Sequence, residues 1–543
     1  MAATSLSPGS TDRSVDALII GAGFSGLYQL HALRDRLGLR AEVLEAADGV
    51  GGTWYWNRYP GARCDSESHS YCFTFSEDLA RGWEWTERYP QQPEVMRYLN
   101  YVADRLDLKR DIRFGTRVTG ARYDAAANRW QVTTERGERY QATYLITAVG
   151  CLSTANVPKI PGLETFAGRW YHTGQWPHEG VDFRGKRVGQ VGTGSTGIQA
   201  APVIAETAAH LTVFQRTANY SVPARNVPLT PEFRRYVRES FPEIRATMQT
   251  TPNGHPFRIE DRSVFDVTPE ERERIYEAAW EKGGLQFRAT FRDLLLDKAA
   301  NDTAADFLKA KIRAIVRDPK TAEILANIDH PYAAKRPPID TNYFETFNRD
   351  NVALVDVRAD PIEAITSAGI ATRSGAQYPL DIIVFATGFD AMTGPLLRLN
   401  IEGRDGLTLA EAWRAGPRNY LGLQVAGFPN LFTITGPGSP SVLCNMVVPI
   451  EQHVEWITDC IAHLRARGLS LIEPTPEAVD GWVRHVNDAA DATLLPQVPH
   501  SWYLGANIPG KPRVFMPYAG GMTRYRRICD EVAAEGYRGF GMG

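Results

Sequence analysis

Two glycine-rich turns constrain this chain more than any other feature. Gly21-Ala22-Gly23-Phe24-Ser25-Gly26 directly follows the short apolar run Ala17–Ile20 and precedes Leu27, Leu30, Leu33 and Leu37 at helical spacing. A second apolar run, Ala41–Glu45, closes a strand–helix–strand unit. The pattern returns at Gly192-Thr193-Gly194-Ser195-Thr196-Gly197. That turn lies between a strand expected over Arg187–Val191 and a helix expected from Ile198 to about Thr207, with Leu211–Phe214 as the following strand. A lone glycine turn is weak evidence. Between strand and helix, however, such a turn bends tightly and lets backbone amides meet a pyrophosphate at the helix N-terminus. The expected fold class is α/β with two Rossmann-like dinucleotide-binding domains.

The residue at the end of each second strand tells the two sites apart. In the first unit it is Glu45, nineteen positions past Gly26. A carboxylate there accepts hydrogen bonds from ribose hydroxyls and repels a 2′-phosphate, which suits FAD or NAD. In the second unit it is Arg216, nineteen positions past Gly197 and followed by Thr217. A guanidinium there favours the 2′-phosphate of NADPH through a charge-assisted contact; the alternative for Arg216 is a solvated surface arginine. Two dinucleotide sites of opposite local charge imply a flavoprotein fed by NADPH, hence an oxidoreductase. Nothing in the sequence marks a covalent flavin linkage, so non-covalent FAD is expected.

Composition removes several other classes. With 60 Lys and Arg against 63 Asp and Glu, the net charge of −3 gives no global pull toward nucleic acid or an anionic membrane. No apolar run is long enough to span a bilayer, and the first fifteen residues are polar, without the apolar core of a secretory signal. Cys64, Cys72, Cys151, Cys444, Cys460 and Cys529 are too scattered for a disulfide framework and form no CxxC pair. That argues against a zinc ribbon, against any other metal site and against a dithiol reductase of the two-dinucleotide type. A cytoplasmic enzyme acting on small molecules is expected; a monomer is the simplest oligomeric state, which the sequence leaves open.

The texture of the chain suggests that each domain is discontinuous. The expected division is 1–145 and 386–543 for the FAD domain and 152–225 and 333–382 for the NADP domain. A charged, amphipathic helical insertion at 226–332 interrupts the NADP domain. Within it Thr268-Pro269-Glu270-Glu271 reads as a capping-box start, and Leu308, Ile312 and Ile315 fall on one helical face.

Three further segments carry a family resemblance. Phe166-Ala167-Gly168-Arg169-Trp170-Tyr171-His172-Thr173-Gly174-Gln175-Trp176-Pro177 fits FxGxxxHxxxWP. Gly51-Gly52-Thr53-Trp54 through Tyr59-Pro60-Gly61 to Asp65 fits [AG]GxWxxxx[FY]P[GM]xxxD. Ala386-Thr387-Gly388 matches the ATG segment of flavin monooxygenases. The chain thus resembles the type I Baeyer–Villiger monooxygenases nearly end to end, through Lys335-Arg336-Pro337 and Ser501–Asn507, and most closely the phenylacetone and steroid branch.

That resemblance implies NADPH- and O2-dependent oxidation of a hydrophobic ketone to an ester or lactone through a C4a-peroxyflavin anion. It assigns to Arg336 the cation beside that anion, with Asp65 holding the arginine in place, and to Lys335 a phosphate-binding role next to Arg216. Gly52, Thr53 and Trp54 become flavin neighbours, with Trp54 the better candidate for a flavin wall than Trp56. Trp502 belongs to a loop that covers the nicotinamide cofactor, a core aromatic being the alternative. Leu443 and Met446, after the last FAD-domain strand, are candidate ketone contacts. The fingerprint residues Phe166, Gly168, His172, Trp176 and Pro177 fall at the join of the two domains; His172 reads as a hinge residue or a plain structural histidine. Two rivals remain. A monooxygenase acting on sulfur or nitrogen needs no cation beside the oxygen, so the Asp65/Arg336 pair argues against it. A non-catalytic FAD/NADP sensor needs no such pair at all.

Overall fold

The computed structural model of the chain describes residues 13–543. The first twelve residues of the polar leader, on which most of the reading about a secretory signal rests, lie outside the described residues. The N-terminal part runs β1 (Arg13–Ile20), α1 (Phe24–His31), β2 (Ala41–Leu44), α2 (Gln92–Arg105), β3 (Ile112–Arg113), β4 (Val118–Asp124), β5 (Arg129–Thr134) and β6 (Arg139–Thr147). The second unit follows as β7 (Arg169–His172), β8 (Arg187–Val191), α3 (Ser195–Thr207) and β9 (His210–Gln215). A helical stretch comes next: α4 (Pro231–Glu239), α5 (Phe241–Thr250), α6 (Pro269–Lys282), α7 (Lys298–Ile315) and α8 (Pro319–Ala326). The chain closes with β10 (Val352–Asp356), β11 (Ile382–Phe385), β12 (Ile401–Glu402), β13 (Leu431–Thr433), α9 (Val447–Ala466), α10 (Pro476–Asp491) and α11 (Met522–Ala534).

Two sheets organise these elements. The first has the order β12-β4-β5-β6-β1-β2-β3, with β13 pairing β6 as well. The second, β10-β9-β8-β11-β7, is parallel throughout. Parallel strands covered on both faces carry near-continuous apolar runs, and Leu18, Ile19, Val43, Ile383 and Val384 are fully buried. β1 starts four residues ahead of the apolar run that marks it in the sequence. Arg13 and Ser14 pair with Tyr140 and Gln141 of β6, because a ladder extends on backbone hydrogen bonds alone once its partner strand is longer. Helix α1 lies against α9, where Gln29 Nε2 donates to Thr458 Oγ1 at 3.2 Å inside the core. No described helix is long and apolar enough to cross a membrane.

The helical stretch is no satellite of the second sheet. Leu308 and Ile312 of α7 share one buried cluster with Ile198, Ile204, Leu211 and Val384 of the second unit, and Ile315 packs at its edge. The capping box read at Thr268 forms only in part. Thr268 accepts the N–H of Glu271 at 3.2 Å, but the Glu271 carboxylate pairs with Arg262 Nη1 at 3.1 Å, a charged donor that outcompetes the backbone amide of the cap.

Trp130 ties the two chain segments of the first sheet together. It is fully buried on β5, and its Nε1 donates to the carbonyl of Pro429, just ahead of β13, at 2.8 Å. Trp130→Phe keeps most of the apolar area but strands that carbonyl, and is expected to cost about 1–3 kcal/mol. The measure is the urea midpoint followed by circular dichroism; an unshifted midpoint would show that this link carries no stability.

Candidate functional site

The first glycine turn is built for close backbone approach. A Cβ on Gly26 would sit on the carbonyl oxygen of Gly21, so the start of α1 can pack against β1 only with glycine there. Gly23 and Gly52 bring the turn and the second signature segment together: a Cβ on Gly52 would lie 2.9 Å from the Gly23 Cα. Thr53, exposed, opens the short helix Thr53–Trp56 at this wall. Phe24 and Trp54 both meet the ring of Tyr71, at 5.2 and 5.9 Å between centroids, and Trp54 Nε1 donates to the Tyr71 hydroxyl at 3.1 Å. Ser25 is buried within the same turn. Glu45 is buried just past β2; its two oxygens accept the N–H groups of Ala22 at 2.6 Å and Ala47 at 2.7 Å. Burial pushes its carboxyl upward while those two amides pull it back. Each oxygen keeps a lone pair for a ribose hydroxyl, so this cradle fits an FAD adenosine diphosphate.

The second cradle repeats the arrangement. A Cβ on Gly197 would collide with the carbonyl oxygen of Gly192, whereas nothing lies within 4 Å of the corresponding position on Gly194. The Thr193 hydroxyl donates to the carbonyl of Thr217 at 2.9 Å, fixing the turn against the segment after β9, and Ser195 and Thr196 start α3. Arg216 is exposed there and forms no ion pair among the described residues. Lys335 approaches it, with Arg358 nearby. Burial first, and then the like charges of Arg216 and Arg358, push the Lys335 ammonium down to about 8 against the pull of Asp329. Arg358 itself pairs with Asp329 at 2.8 Å. A cluster of cations with a single carboxylate among them suits a phosphomonoester.

Between the cradles lies the pair singled out in the sequence. Arg336 Nε stands 3.6 Å from Asp65 Oδ2; the Asp65 side chain is 7% exposed and that of Arg336 31%, so the carboxylate is enclosed while the guanidinium opens into the crevice. Burial is the largest single influence and works against the charge on Arg336, but Asp65 together with Tyr503, Cys64 and Tyr71 outweighs it and holds the guanidinium above its ordinary value. For Asp65 burial pushes upward, opposed by Arg336 and by the amide of Gln199. Two prolines follow Arg336, and the ribbon pairing Ile339–Asp340 with Val222–Pro223 anchors the segment.

Gln199 gives no signal in the sequence. It lies one turn into α3 and is buried; its Nε2 donates to Asp65 Oδ1 at 3.1 Å and to the Arg63 carbonyl at 3.2 Å. Its Oε1 accepts the Tyr59 hydroxyl at 2.7 Å and the Arg63 N–H at 3.4 Å. The helix that opens at the second cradle therefore holds the carboxylate that holds Arg336. A glutamine on a helix face looks like any polar residue until the fold brings Asp65 beneath it.

Leu443, Met446 and Trp502 pack at the edge of one buried cluster that contains Cys151, Val442, Tyr503 and Met516. The fingerprint segment lies elsewhere. Phe166 is buried in the cluster of a β-hairpin, a Cβ on Gly168 would strike the Asp381 carbonyl, and Trp176, followed by Pro177, packs on Phe183 at 6.2 Å. His172 ends β7 opposite Phe385, beside Asn156 and Gly388, where the two connections between the sheets meet. Its Nδ1 accepts the N–H of Gly174 at 3.0 Å, and burial pushes its pKa down to about 4, so it is neutral at ordinary pH.

These features agree with what the chain is similar to. The flavin-binding monooxygenase-like family matches residues 15–227. A Baeyer–Villiger monooxygenase of Pseudooceanicola batsensis is 46% identical over 96% of this chain and 95% of its own length. A phenazine N-monooxygenase of Lysobacter antibioticus is 42% identical over 97% of this chain and 96% of its own length. The solved structure of an oxidized steroid monooxygenase bound to NADP is 53% identical, with a TM-score of 0.93 over 97% of this chain and 99% of that one.

The cation cluster makes two testable statements. Arg216→Ala is expected to raise the KM for NADPH about 10- to 100-fold and to leave that for NADH nearly unchanged. Because a bound phosphate favours the protonated ammonium of Lys335, NADPH affinity is expected to hold below about pH 8 and to fall as pH rises through that value. Titration calorimetry from pH 7 to 9.5 checks this; a flat profile, or an equal decline for NADH, removes Lys335 from the phosphate site.

Proposed function

The chain belongs to the Baeyer–Villiger monooxygenases of the flavin-binding monooxygenase-like family, and on that premise we propose how its residues carry the reaction. It is an FAD- and NADPH-dependent enzyme that uses O2 to convert a ketone to an ester or lactone, releasing water. FAD, once bound and reduced by NADPH, supplies the activated oxygen atom. The glycine turn at Gly21–Gly26, Glu45, Gly52, Thr53 and Trp54 would hold it. The turn at Gly192–Gly197 with Arg216, Thr217 and Lys335 would hold the nicotinamide cofactor. We place the joins between the two domains where β6 and β11 end, at Thr147 and Phe385.

The observation that carries this reading is the Asp65–Arg336 pair. Attack on a ketone carbonyl places negative charge on oxygen, and a fixed cation within reach lowers the energy of that charge in a crevice where water screens it little. Arg336 is suited to this because it stays protonated when desolvated, and because Asp65, clamped by Gln199, fixes where its planar fork points. Tyr503, Cys151 and the cluster around them exclude water from the same volume, which protects the activated oxygen from release as peroxide. We propose Leu443 and Met446 as apolar walls for the ketone and Trp502 as part of the cover over the cofactor. His172, neutral and remote from the pair, serves the join between the sheets.

Oxygenation of nitrogen or sulfur is the second reading, since the N-oxygenating relative is about as similar as the ketone-oxidising ones. Such chemistry transfers electrophilic oxygen and gains nothing from a neighbouring cation, which this crevice holds in place with two supporting side chains.

Arg336→Ala is expected to retain FAD and its reduction by NADPH while ester formation falls about 10²–10³-fold or more. Stopped-flow absorbance measures reduction, and mass spectrometry of products from small cyclic, aryl and steroid ketones measures ester. Ester at the normal rate in that variant would overturn the role of Arg336.

A further inference from the structure

The segment proposed to touch the ketone is held, at one residue, by two distant parts of the chain. Asn445 stands between Leu443-Cys444 and Met446, directly ahead of α9, and is 1% exposed. Its side-chain Nδ2 donates to the carbonyl of Ser70 at 2.6 Å. Its backbone N–H donates to the carbonyl of Asn253 at 2.9 Å, and its own carbonyl accepts the N–H of Val448 at 3.1 Å in the first turn of α9. A loop of the first unit, the helical stretch and α9 therefore meet on the atoms of one buried asparagine.

Each partner is fixed in its own right. Ser70 closes the short 3-10 turn Ser68–Ser70 and is fully buried. The next residue, Tyr71, carries the ring that Phe24 and Trp54 meet at 5.2 and 5.9 Å, on the wall proposed to face the flavin. Further along that loop, Thr74 donates through its N–H and its hydroxyl to the two oxygens of Glu451 on α9, each at 2.5 Å, so the loop is joined to this helix a second time. Asn253 belongs to a closed turn after α5. There Thr251 Oγ1 donates to the His255 carbonyl at 2.8 Å, and the His255 N–H donates to Asn253 Oδ1 at 3.2 Å. A Cβ on Gly254 would lie 3.2 Å from that of Val448, so the turn sits directly on the start of α9.

We propose that Asn445 is a positioning residue for the orientation of the ketone: it fixes the proposed contacts Leu443 and Met446 relative to the flavin wall. Met446 packs against the buried cluster of Phe24, Trp54 and Phe73 and also against that of Cys151 and Tyr503, so a displacement at Asn445 moves a side chain shared by both. When oxygen is inserted, one of the two carbon–carbon bonds at the carbonyl is replaced by a carbon–oxygen bond. The orientation of the ketone decides which one, and a displacement of about 0.5–1 Å is enough to change that choice. The role calls for an amide. Aspartate has no N–H to offer the Ser70 carbonyl, and alanine leaves that carbonyl without its donor.

The inference rests on the ketone-oxidising reading, and the test separates the two. The holoenzyme is given (R)-3-methylcyclohexanone, and its two regioisomeric lactones are quantified by gas chromatography. Both α-carbons of this ketone are CH2 groups, so the intrinsic chemistry prefers neither and the ratio reports orientation. Expected from the wild type is one lactone in about tenfold excess or more, and in Asn445→Ala a ratio that moves at least about threefold toward one. The KM for the ketone rises in that variant, while the rate of FAD reduction by NADPH stays within about twofold of wild type. Asn253→Ala keeps the carbonyl that Asn445 uses but loses the bond to the His255 N–H; it shifts the ratio in the same direction by less, and decides the question if Asn445→Ala retains no FAD. Trp130→Phe, which loosens a remote link, lowers stability and keeps the wild-type ratio. An unchanged ratio in the deciding variant overturns the proposal, as does a wild-type ratio of one or an equal shift in Trp130→Phe. Failure of the wild type to form either lactone while NADPH is consumed would instead refute the ketone-oxidising reading beneath it.

Discussion

The ion pair between Arg336 and Asp65 is the point at which every larger feature of this molecule meets. Asp65 arrives on a loop of the first unit and Arg336 on the strap that leaves the helical stretch, so neither sheet alone could form the pair. Its geometry is unequal by design of the fold: the carboxylate is sealed in and held by Gln199, and the guanidinium faces open space. A carboxylate so enclosed would be costly alone, and the facing cation and the glutamine amide are what make its burial tolerable. The same arrangement turns a flexible arginine into a fixed charge. Fixing it in advance is the useful part, since a cation that must be reoriented during the reaction gives back much of its advantage.

The clamp on Asp65 also connects the second glycine turn to the Arg336 guanidinium. Gln199 follows the second glycine turn by two residues on the same helix, and Tyr59 and Arg63 of the first unit grip its other side. A shift of α3 would reach Asp65 through one hydrogen bond, without an intervening loop to absorb it. The chain thereby has a physical reason to place a dinucleotide turn and a reaction-side carboxylate on either side of one glutamine. His172 stands at another junction between the sheets, buried and neutral, where it can keep a joint in place without competing for protons.

What the sequence discloses, and what it withholds, follows from how local each constraint is. The two glycine turns were legible because backbone sterics act over six residues: the carbonyls of Gly21 and Gly192 exclude any side chain at Gly26 and Gly197 wherever the rest of the chain goes. Glu45 and Arg216 were legible because a strand–helix–strand unit fixes how many residues separate turn and ribose. The Asp65–Arg336 pair came from resemblance, since 270 intervening positions carry no local trace of it. Gln199 and Arg358 were invisible for the same reason without a motif to compensate: each is an ordinary polar residue on a helix or loop until tertiary packing supplies its neighbours. The half-formed cap at Thr268 is the small-scale version, because Arg262, the competitor for Glu271, lies outside the four-residue window that a capping signature uses.

The choice of arginine over lysine at the reacting end follows from the adjacent position. Lys335 and Arg336 are neighbours in the chain and both leave bulk water, yet burial and nearby cations take the lysine down to about 8, while the arginine, with a carboxylate facing it, goes the other way. An ammonium at 336 would offer rotatable donors instead of a planar fork. A group that must keep its charge through an entire turnover, whatever the local dielectric, has to be the one whose charge burial cannot remove. At 335 the demand is reversed. There, under the proposed role at the nucleotide phosphate, the charge is needed only while a phosphate is bound, and that phosphate would favour the protonated ammonium.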